Sequence, residues 1–209
     1  MRIVDQIIPL GRNRYKILFD DHTSFALYKK EVSLFELKEE HEISDGVYDE
    51  IVDSVLMKRA KLRSLALLKN KSYTEKQLRE KLQKGYYPQN VIDEAVQYVK
   101  SYRYIDDFSY ARDYVEYHSS GKSRSRIEQD LLKKGIEKNV ILEAFSAWMA
   151  DGGVIDETGQ ILKLIQKKKF DLNTDDVNEK QKILRYLLYK GYKMDQILKV
   201  IHCSEYSDN

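Results

Sequence analysis

Hydrophobic and polar positions change their period near residue 47, which predicts two kinds of structure in one chain. Before that point, apolar runs at residues 3–8, 15–19 and 23–28 are separated by turn-forming residues at 11–13 and 20–22. Short runs with turn residues between them predict a three-stranded antiparallel meander. Because three strands alone are only marginally stable, we expect this sheet to pack against a helix.

From Val47 onward the apolar positions follow a helical period, and an internal repeat becomes visible. A Leu-x-Lys-Gly-apolar motif occurs at Gly85, Gly135 and Gly191, which lie 50 and 56 residues apart. Each glycine is predicted to end a helix in the left-handed conformation, with lysine in the last turn. Each unit is therefore predicted to hold three short helices.

Capping residues mark where the predicted helices begin. An acidic residue, Asp106 or Asp156, is expected to cap the first helix of the second and third units. Other helix starts resemble capping boxes, in which two side chains satisfy each other's backbone amides. The expected pairs are Thr74 with Gln77, Ser125 with Glu128 and, less cleanly, Asn178 with Gln181.

The predicted fold is mainly α, with three tandem three-helix repeats in an elongated, curved array and a small N-terminal β-meander unit. We place the β-rich unit at residues 1–46, and a linker helix with the first repeat at 47–105. The second repeat is placed at 106–154, and the third repeat with the C-terminal tail at 155–209. Repeat arrays of this kind offer extended binding surfaces more often than catalytic clefts.

Composition narrows the function classes further. The chain has 209 residues, of which 33% are charged and 42% hydrophobic, so it can build a core in water. Its single cysteine, Cys203, excludes an internal disulfide and a thiolate zinc site. No apolar run reaches transmembrane length and no signal peptide is visible. We therefore expect a cytoplasmic protein, and a monomer is the simplest interpretation.

Charge is unevenly distributed, although the net charge of the chain is only +2. Residues 1–50 hold seven basic and eleven acidic side chains, whereas residues 57–85 hold ten basic and two acidic ones. The basic segment could contact DNA phosphates or an acidic protein groove, or it could be a solvated helix face. A second basic cluster follows Gly121, and Lys167–Lys169 is better explained as a solvated helix end.

The motif residues of the first two repeats resemble, in order and spacing, those of the RecX family of RecA regulators. In the first repeat they are Leu65–Leu68, Lys71, Thr74, Gln77, Leu78, Lys81, Leu82 and Gly85. In the second they are Asp107, Tyr110, Ala111, Gly121, Arg126, Ile127, Leu131 and Lys134–Ile136. Residues 157–202 fit the third repeat loosely, and the unit ending at Glu42–Ser44 resembles the β-rich extension of some members.

The resemblance implies a non-enzymatic regulator that binds the RecA filament on single-stranded DNA. Such a protein would modulate, and most simply inhibit, recombinase, ATPase and coprotease activity in homologous recombination, DNA repair and the SOS response. The alternative is a helical repeat protein that binds nucleic acid on its own. The candidate contact residues are Lys58, Arg59, Lys61, Arg63, Lys71, Lys81, Lys84, Lys122, Arg124, Arg126, Lys133 and Lys134.

The sequence shows no convincing motif for catalysis. The four histidines are scattered, Asp106 and Asp107 are better explained as a helix cap than as metal ligands, and no phosphate-binding glycine loop occurs. We therefore expect no enzyme activity, no metal and no cofactor. The tyrosines could stack on bases, but their spacing favours packing between helices; they are Tyr86, Tyr87, Tyr102, Tyr104, Tyr110 and Tyr114.

Overall fold

An antiparallel sheet opens the computed structural model, which describes residues 1–172 and 174–203, the last two by backbone alone. The predicted meander is confirmed, and a fourth, two-residue strand extends it on the far side of the first strand, in the order β3-β2-β1-β4. A short helix, α1 (Lys29–Leu34), follows the third strand. The strands are β1 (Arg2–Gly11), β2 (Arg14–Phe19), β3 (Ser24–Tyr28) and β4 (Glu42–Ile43).

A long helical segment covers the sheet, as the marginal stability of three strands requires. It comprises α2 (Asp45–Glu50), a π-helical stretch (Ile51–Met57) and α3 (Lys58–Asn70). The Ser44 hydroxyl caps its start by accepting a hydrogen bond from the Val47 amide at 3.3 Å. Ile51 and Leu56 are both fully buried, and their five-residue spacing matches the wider π turn.

Three groups of three helices follow the sheet in the part of the chain that the structure describes, and this confirms the mainly helical fold. The first group is α3 with α4 (Glu75–Gln83) and α5 (Gln89–Ser101). The second is α6 (Asp107–His118), α7 (Arg124–Lys133) and α8 (Lys138–Ala150). The third is α9 (Glu157–Lys167), α10 (Val177–Tyr189) and α11 (Met194–Cys203).

The chain divides into two compact units, residues 1–106 and 107–209. In the first unit the sheet and the first helical domain share one hydrophobic core, in which Phe19 and Phe25 pack at 5.2 Å between ring centroids. The second unit contains two separate cores, one for each remaining domain. Trp148 belongs to the core of the second domain.

The two domains of the second unit have separate hydrophobic cores, and hydrogen bonds join one domain to the other. The Ser123 hydroxyl donates to the Lys190 carbonyl at 3.0 Å. The Gln160 side-chain amide donates to the Ser119 carbonyl at 2.6 Å and accepts from the Tyr192 hydroxyl at 2.9 Å. Burial raises the pKa of Tyr192 to about 12, so its hydroxyl remains a donor at neutral pH.

The repeated glycines end helices as expected in two of the three domains. Gly135 and Gly191 have φ angles of 88° and 91°, which confirms their left-handed conformation. The prediction for Gly85 is wrong, because the left-handed residue there is Tyr86, with φ of 59°. The Tyr87 amide, two residues after Gly85, bonds to the Leu82 carbonyl, whereas in the second domain the Ile136 amide, one residue after Gly135, makes the corresponding bond to Leu131. A Cβ on Gly85 would lie 2.8 Å from the Tyr87 ring.

Helix starts differ from the predicted capping boxes in the second and third domains. The Thr74–Gln77 box is confirmed, and Asp156 caps α9 through the Gly159 amide. The Ser125 prediction is wrong, because Ser123 caps α7 and Ser125 already lies within its first turn. The Asn178 prediction is also wrong: α10 begins at Val177, so Asn178 already lies in its first turn, and the Asp176 carboxylate caps the helix through the amides of residues 178 and 179.

Candidate interaction surface

Exposed basic side chains of the first unit lie on α3, on α4 and in the turns that follow them. Lys58 and Arg63 are exposed on α3, whereas Lys61 is half-buried with its ammonium 5.1 Å from the Tyr98 ring centroid. Lys71 follows α3 and lies 5.7 Å from the Tyr73 ring centroid. Within the described residues, no ion-pair partner is found for the exposed cations Lys58, Arg63, Lys81 and Lys84.

Arg59 differs from the exposed cations of α3 because its guanidinium contacts other residues of the first unit. Its guanidinium forms an ion pair with Glu31, and it donates to the Ala26 carbonyl at 3.2 Å. It also lies 4.7 Å from the centroid of the Tyr28 ring. These contacts join α3 to the sheet and to α1, so the Arg59 guanidinium is held within the first unit and stabilises it.

Other cations of the first unit form an ion-pair network between α4 and α5. Glu75 pairs with Arg79 at 2.8 Å and with Lys100 at 2.6 Å. Arg79 also pairs with Asp93 on α5. Burial opposes the ionisation of Glu75, but the hydrogen bonds from Lys100 and Arg79 hold its pKa below the ordinary value. The network fixes α4 against α5, which positions the exposed lysines at the end of α4.

Basic residues of the second unit surround one aspartate. Lys122 pairs with Asp130 at 2.8 Å, and Arg126 pairs with the other oxygen of the same carboxylate at 3.4 Å. Burial opposes ionisation, but the hydrogen bond between Lys122 and Asp130 holds the pKa of Asp130 below, and that of Lys122 above, its ordinary value. Arg124 pairs with Glu128. Lys133 is exposed.

Three aromatic rings on α6, those of Tyr110, Tyr114 and His118, form a row beside these cations. The sequence analysis did not predict that they lie together. Tyr110 and Tyr114 stack at 6.4 Å between ring centroids, and Tyr114 meets His118 at 4.1 Å. The Lys134 ammonium lies within 6 Å of both tyrosine rings. Burial and the neighbouring Lys122 lower the pKa of His118, so its ring is neutral at pH 7. The i, i+4 spacing of these residues was the available signal.

A cavity of about 720 Å³ lies between the second and third domains, inside the second unit. Trp148 and Phe145 form its apolar part, while Arg124 and Glu157 are among its polar residues. The Glu157 carboxylate accepts a hydrogen bond of 2.7 Å from the Arg124 backbone amide. This carboxylate therefore already satisfies the N-terminus of α7, where an anion would otherwise be favoured.

No group of three or more histidine, cysteine, aspartate or glutamate side chains is arranged to hold a metal ion among the residues that the structure describes. Within that same part of the chain, no helix is long and apolar enough to span a bilayer.

Comparison with known proteins identifies the family. Residues 60–98, 106–144 and 156–201 match, in order, the first, second and third three-helix domains of RecX. A regulatory protein RecX of Caldanaerobacter subterraneus subsp. tengcongensis is 30% identical over 202 residues, 96% of this chain and 98% of the relative. The chain belongs to the RecX family. A RecX of Clostridioides difficile is also 30% identical, over 97% of this chain and 95% of that protein.

Solved RecX structures share the fold. A crystal structure of regulatory protein RecX aligns with a TM-score of 0.59 over 96% of this chain and 98% of its own, at 21% identity. RecX from Lactobacillus salivarius aligns with a TM-score of 0.58 at 25% identity, over 73% of this chain and 98% of that one. The RecX relatives are named as regulatory proteins, so the chain belongs to a regulatory family rather than to an enzyme family.

Proposed function

We propose that this RecX family member regulates RecA by binding, as a monomer in the cytoplasm, to the RecA filament on single-stranded DNA. Binding would inhibit ATP hydrolysis, strand exchange and coprotease activity, and so restrain homologous recombination and the SOS response. Family membership over nearly the whole chain carries this proposal. The RecX resemblance supplies RecA as the partner.

The distribution of charge supports regulation by binding. Exposed cations without an ion-pair partner in the described residues lie in both units, whereas Arg59, Arg79 and Lys122 are held in internal pairs. A nucleoprotein filament presents phosphates along its length, and cations of this kind raise the rate of encounter with it. The proposed contact set is therefore the exposed group Lys58, Arg63, Lys71, Lys81, Lys84 and Lys133.

The alternative proposal, a protein that binds nucleic acid on its own, is favoured by a different observation. Tyrosine rings lie beside cations in both units, with Lys61 near Tyr98 and Lys134 near Tyr114. Aromatic rings next to basic side chains are typical of surfaces that bind single strands. This alternative predicts full affinity for DNA in the absence of RecA.

The ATPase activity of RecA on single-stranded DNA tests the main proposal. We expect the purified chain to lower the steady-state rate at concentrations well below that of RecA, since one bound molecule would affect many filament subunits. An unchanged rate at equimolar concentration, together with binding to DNA alone, would favour the alternative.

A matched pair of variants locates the contact surface. Replacing five exposed cations of the proposed set by alanine should weaken inhibition, since these cations would contact the filament. Replacing five exposed lysines elsewhere changes the net charge equally and should leave inhibition intact. The test positions are Lys58, Arg63, Lys81, Lys84 and Lys133; the control positions are Lys29, Lys30, Lys163, Lys167 and Lys199. Equal loss in both variants would contradict this surface.

A further inference from the structure

Three tyrosines at the end of α5 form a continuous aromatic surface that the fold leaves open. Tyr98 and Tyr102 lie one turn apart, with ring centroids separated by 5.1 Å. The Tyr104 ring stacks on Tyr102 at 6.0 Å, with 26° between the ring planes. Tyr102 and Tyr104 are 60% and 57% exposed. The expectation that these two tyrosines pack between helices therefore does not describe their surroundings.

One cation contacts this tyrosine surface, and two more lie close in sequence to it or to that cation. The Lys61 ammonium lies 5.1 Å from the Tyr98 ring centroid. Arg103 is exposed and lies in sequence between the two exposed tyrosines. Lys58 lies three residues before Lys61, on the same face of α3. The surface thus combines large flat rings with positive charge.

The backbone between the two exposed tyrosines adopts a left-handed conformation that is unfavourable for a residue with a side chain. Arg103 has a φ angle of 56°, in the left-handed region that favours glycine. The turn is closed by the Arg103 amide bonding to the Lys100 carbonyl and the Tyr104 amide to the Val99 carbonyl.

The second domain makes the same turn at the end of α8 with two glycines. There the amide of Gly152, with φ of 89°, bonds to the Met149 carbonyl, and the Gly153 amide bonds to the Trp148 carbonyl. The same turn can therefore form without an arginine followed by a tyrosine. Arg103 and Tyr104 thus place two large side chains at turn positions that glycines occupy in the second domain.

We propose that this tyrosine surface binds unpaired nucleobases, with Tyr102 and Tyr104 stacking on successive bases and Lys61 and Arg103 contacting the adjoining phosphates. The inference rests on the proposed function and deepens it by assigning the direct contact with single-stranded DNA. Stacking on exposed rings tolerates every base, because each base has a π face. Duplex DNA would bind more weakly, since its bases are already stacked.

Fluorescence anisotropy with a labelled single-stranded thymidine oligonucleotide, without recombinase, tests this contact. We expect the Tyr102→Ala/Tyr104→Ala variant to bind about tenfold more weakly or worse. The Tyr102→Phe/Tyr104→Phe variant keeps the rings and should bind as the unaltered chain does. Tyr189→Ala, which removes a 76% exposed ring from the third domain, serves as the control and should also bind normally.

Salt dependence separates the tyrosines from the cations. Each phosphate contact contributes about 0.7 to the slope of log affinity against log salt for single strands. Lys61→Ala and Arg103→Gly should each lower the slope by about that amount, whereas the tyrosine variants should weaken binding without changing it. Arg103→Gly should also raise the melting temperature, because glycine suits the left-handed turn; weaker binding in a more stable variant cannot be attributed to unfolding.

The outcomes distinguish this inference from the proposed function. If the unaltered chain fails to bind the oligonucleotide, or if Tyr102→Ala/Tyr104→Ala binds equally well, the inference is overturned whatever happens to RecA. If that variant loses oligonucleotide affinity but still inhibits the RecA ATPase, both stand, and the other cations bind the filament. If it loses only ATPase inhibition, the tyrosine surface is a protein contact and the inference is wrong.

Discussion

The hydroxyl of Ser123 bonds to the carbonyl oxygen of Lys190 at 3.0 Å, and this contact joins two helical domains through one side chain. The hydroxyl oxygen of Ser123 also accepts a hydrogen bond from the Arg126 amide and so caps α7. Ser123→Ala should lower the free energy of unfolding by about 1–2 kcal/mol, since it removes both bonds. Urea unfolding measures this, with Ser125→Ala as the control; an equal loss in the control would contradict our assignment of the cap.

Gly191 lies against Ser123, and its substitution tests how closely the two domains approach. A Cβ there would lie 2.7 Å from the Ser123 oxygen, on a backbone with φ of 91°. Gly152 has almost the same φ, but a Cβ there meets nothing within 4 Å. We expect Gly152→Ala to cost about 1 kcal/mol and Gly191→Ala about 2–3 kcal/mol. Equal melting temperatures for the two variants would show that the close approach is unimportant.

Arg59 and Arg63 are neighbours on α3, but the structure gives them different roles. Arg59 pairs with Glu31 and contacts the sheet, whereas Arg63 is exposed. Arg59→Ala should destabilise the first unit by about 2 kcal/mol, and Arg63→Ala by less than about 0.5 kcal/mol. Thermal unfolding measures both. Reversing the charge of both residues together would therefore confuse folding with binding, and Arg63 alone is the useful probe.

Asp130 makes the second unit sensitive to acid. Its hydrogen bond to Lys122 holds its pKa below the unfolded value of about 3.8, against the effect of burial. The folded state then binds fewer protons than the unfolded chain, so this stabilisation is present above the unfolded pKa and is lost as pH falls through the folded pKa.

Asp130→Asn should therefore cost about 1–2 kcal/mol at pH 7, and the difference from the unaltered chain should shrink below about pH 4. Urea unfolding at pH 7, 4 and 3 measures it. Asp113→Asn, at an exposed position on α6, is the control. A difference that stays constant with pH would show that the Lys122–Asp130 pair contributes nothing through ionisation.

The helical repeat was predictable because its signals are local. Gly135 and Gly191 end their helices as a left-handed glycine should, and the Thr74 cap forms the predicted box. At the Gly85 turn, the choice between Gly85 and Tyr86 as the left-handed residue depends on how Tyr87 packs against the turn, and this is tertiary information. The choice of Ser123 over Ser125 as cap is likewise tied to a bond with a distant domain.

The candidate surface was only partly predictable for the same reason. Net charge located the basic segment, but composition does not show that Arg59 is held internally by Glu31 while Lys58 and Arg63 stay exposed. Helical spacing favoured packing between helices for the tyrosines, and Tyr110 and Tyr114 do pack against the core of the second domain. Tyr102 and Tyr104 fall at and beyond the end of α5, where helical spacing no longer reports burial.

The affinity of the labelled chain for preassembled RecA filaments on single-stranded DNA, compared with its affinity for the same DNA alone, tests the central claim most directly. We predict at least tenfold tighter binding to the filament at physiological salt, a difference of about 1.4 kcal/mol or more. Such a difference would mean that RecA itself supplies part of the binding surface. Equal affinity for filament and bare DNA would contradict regulation through RecA.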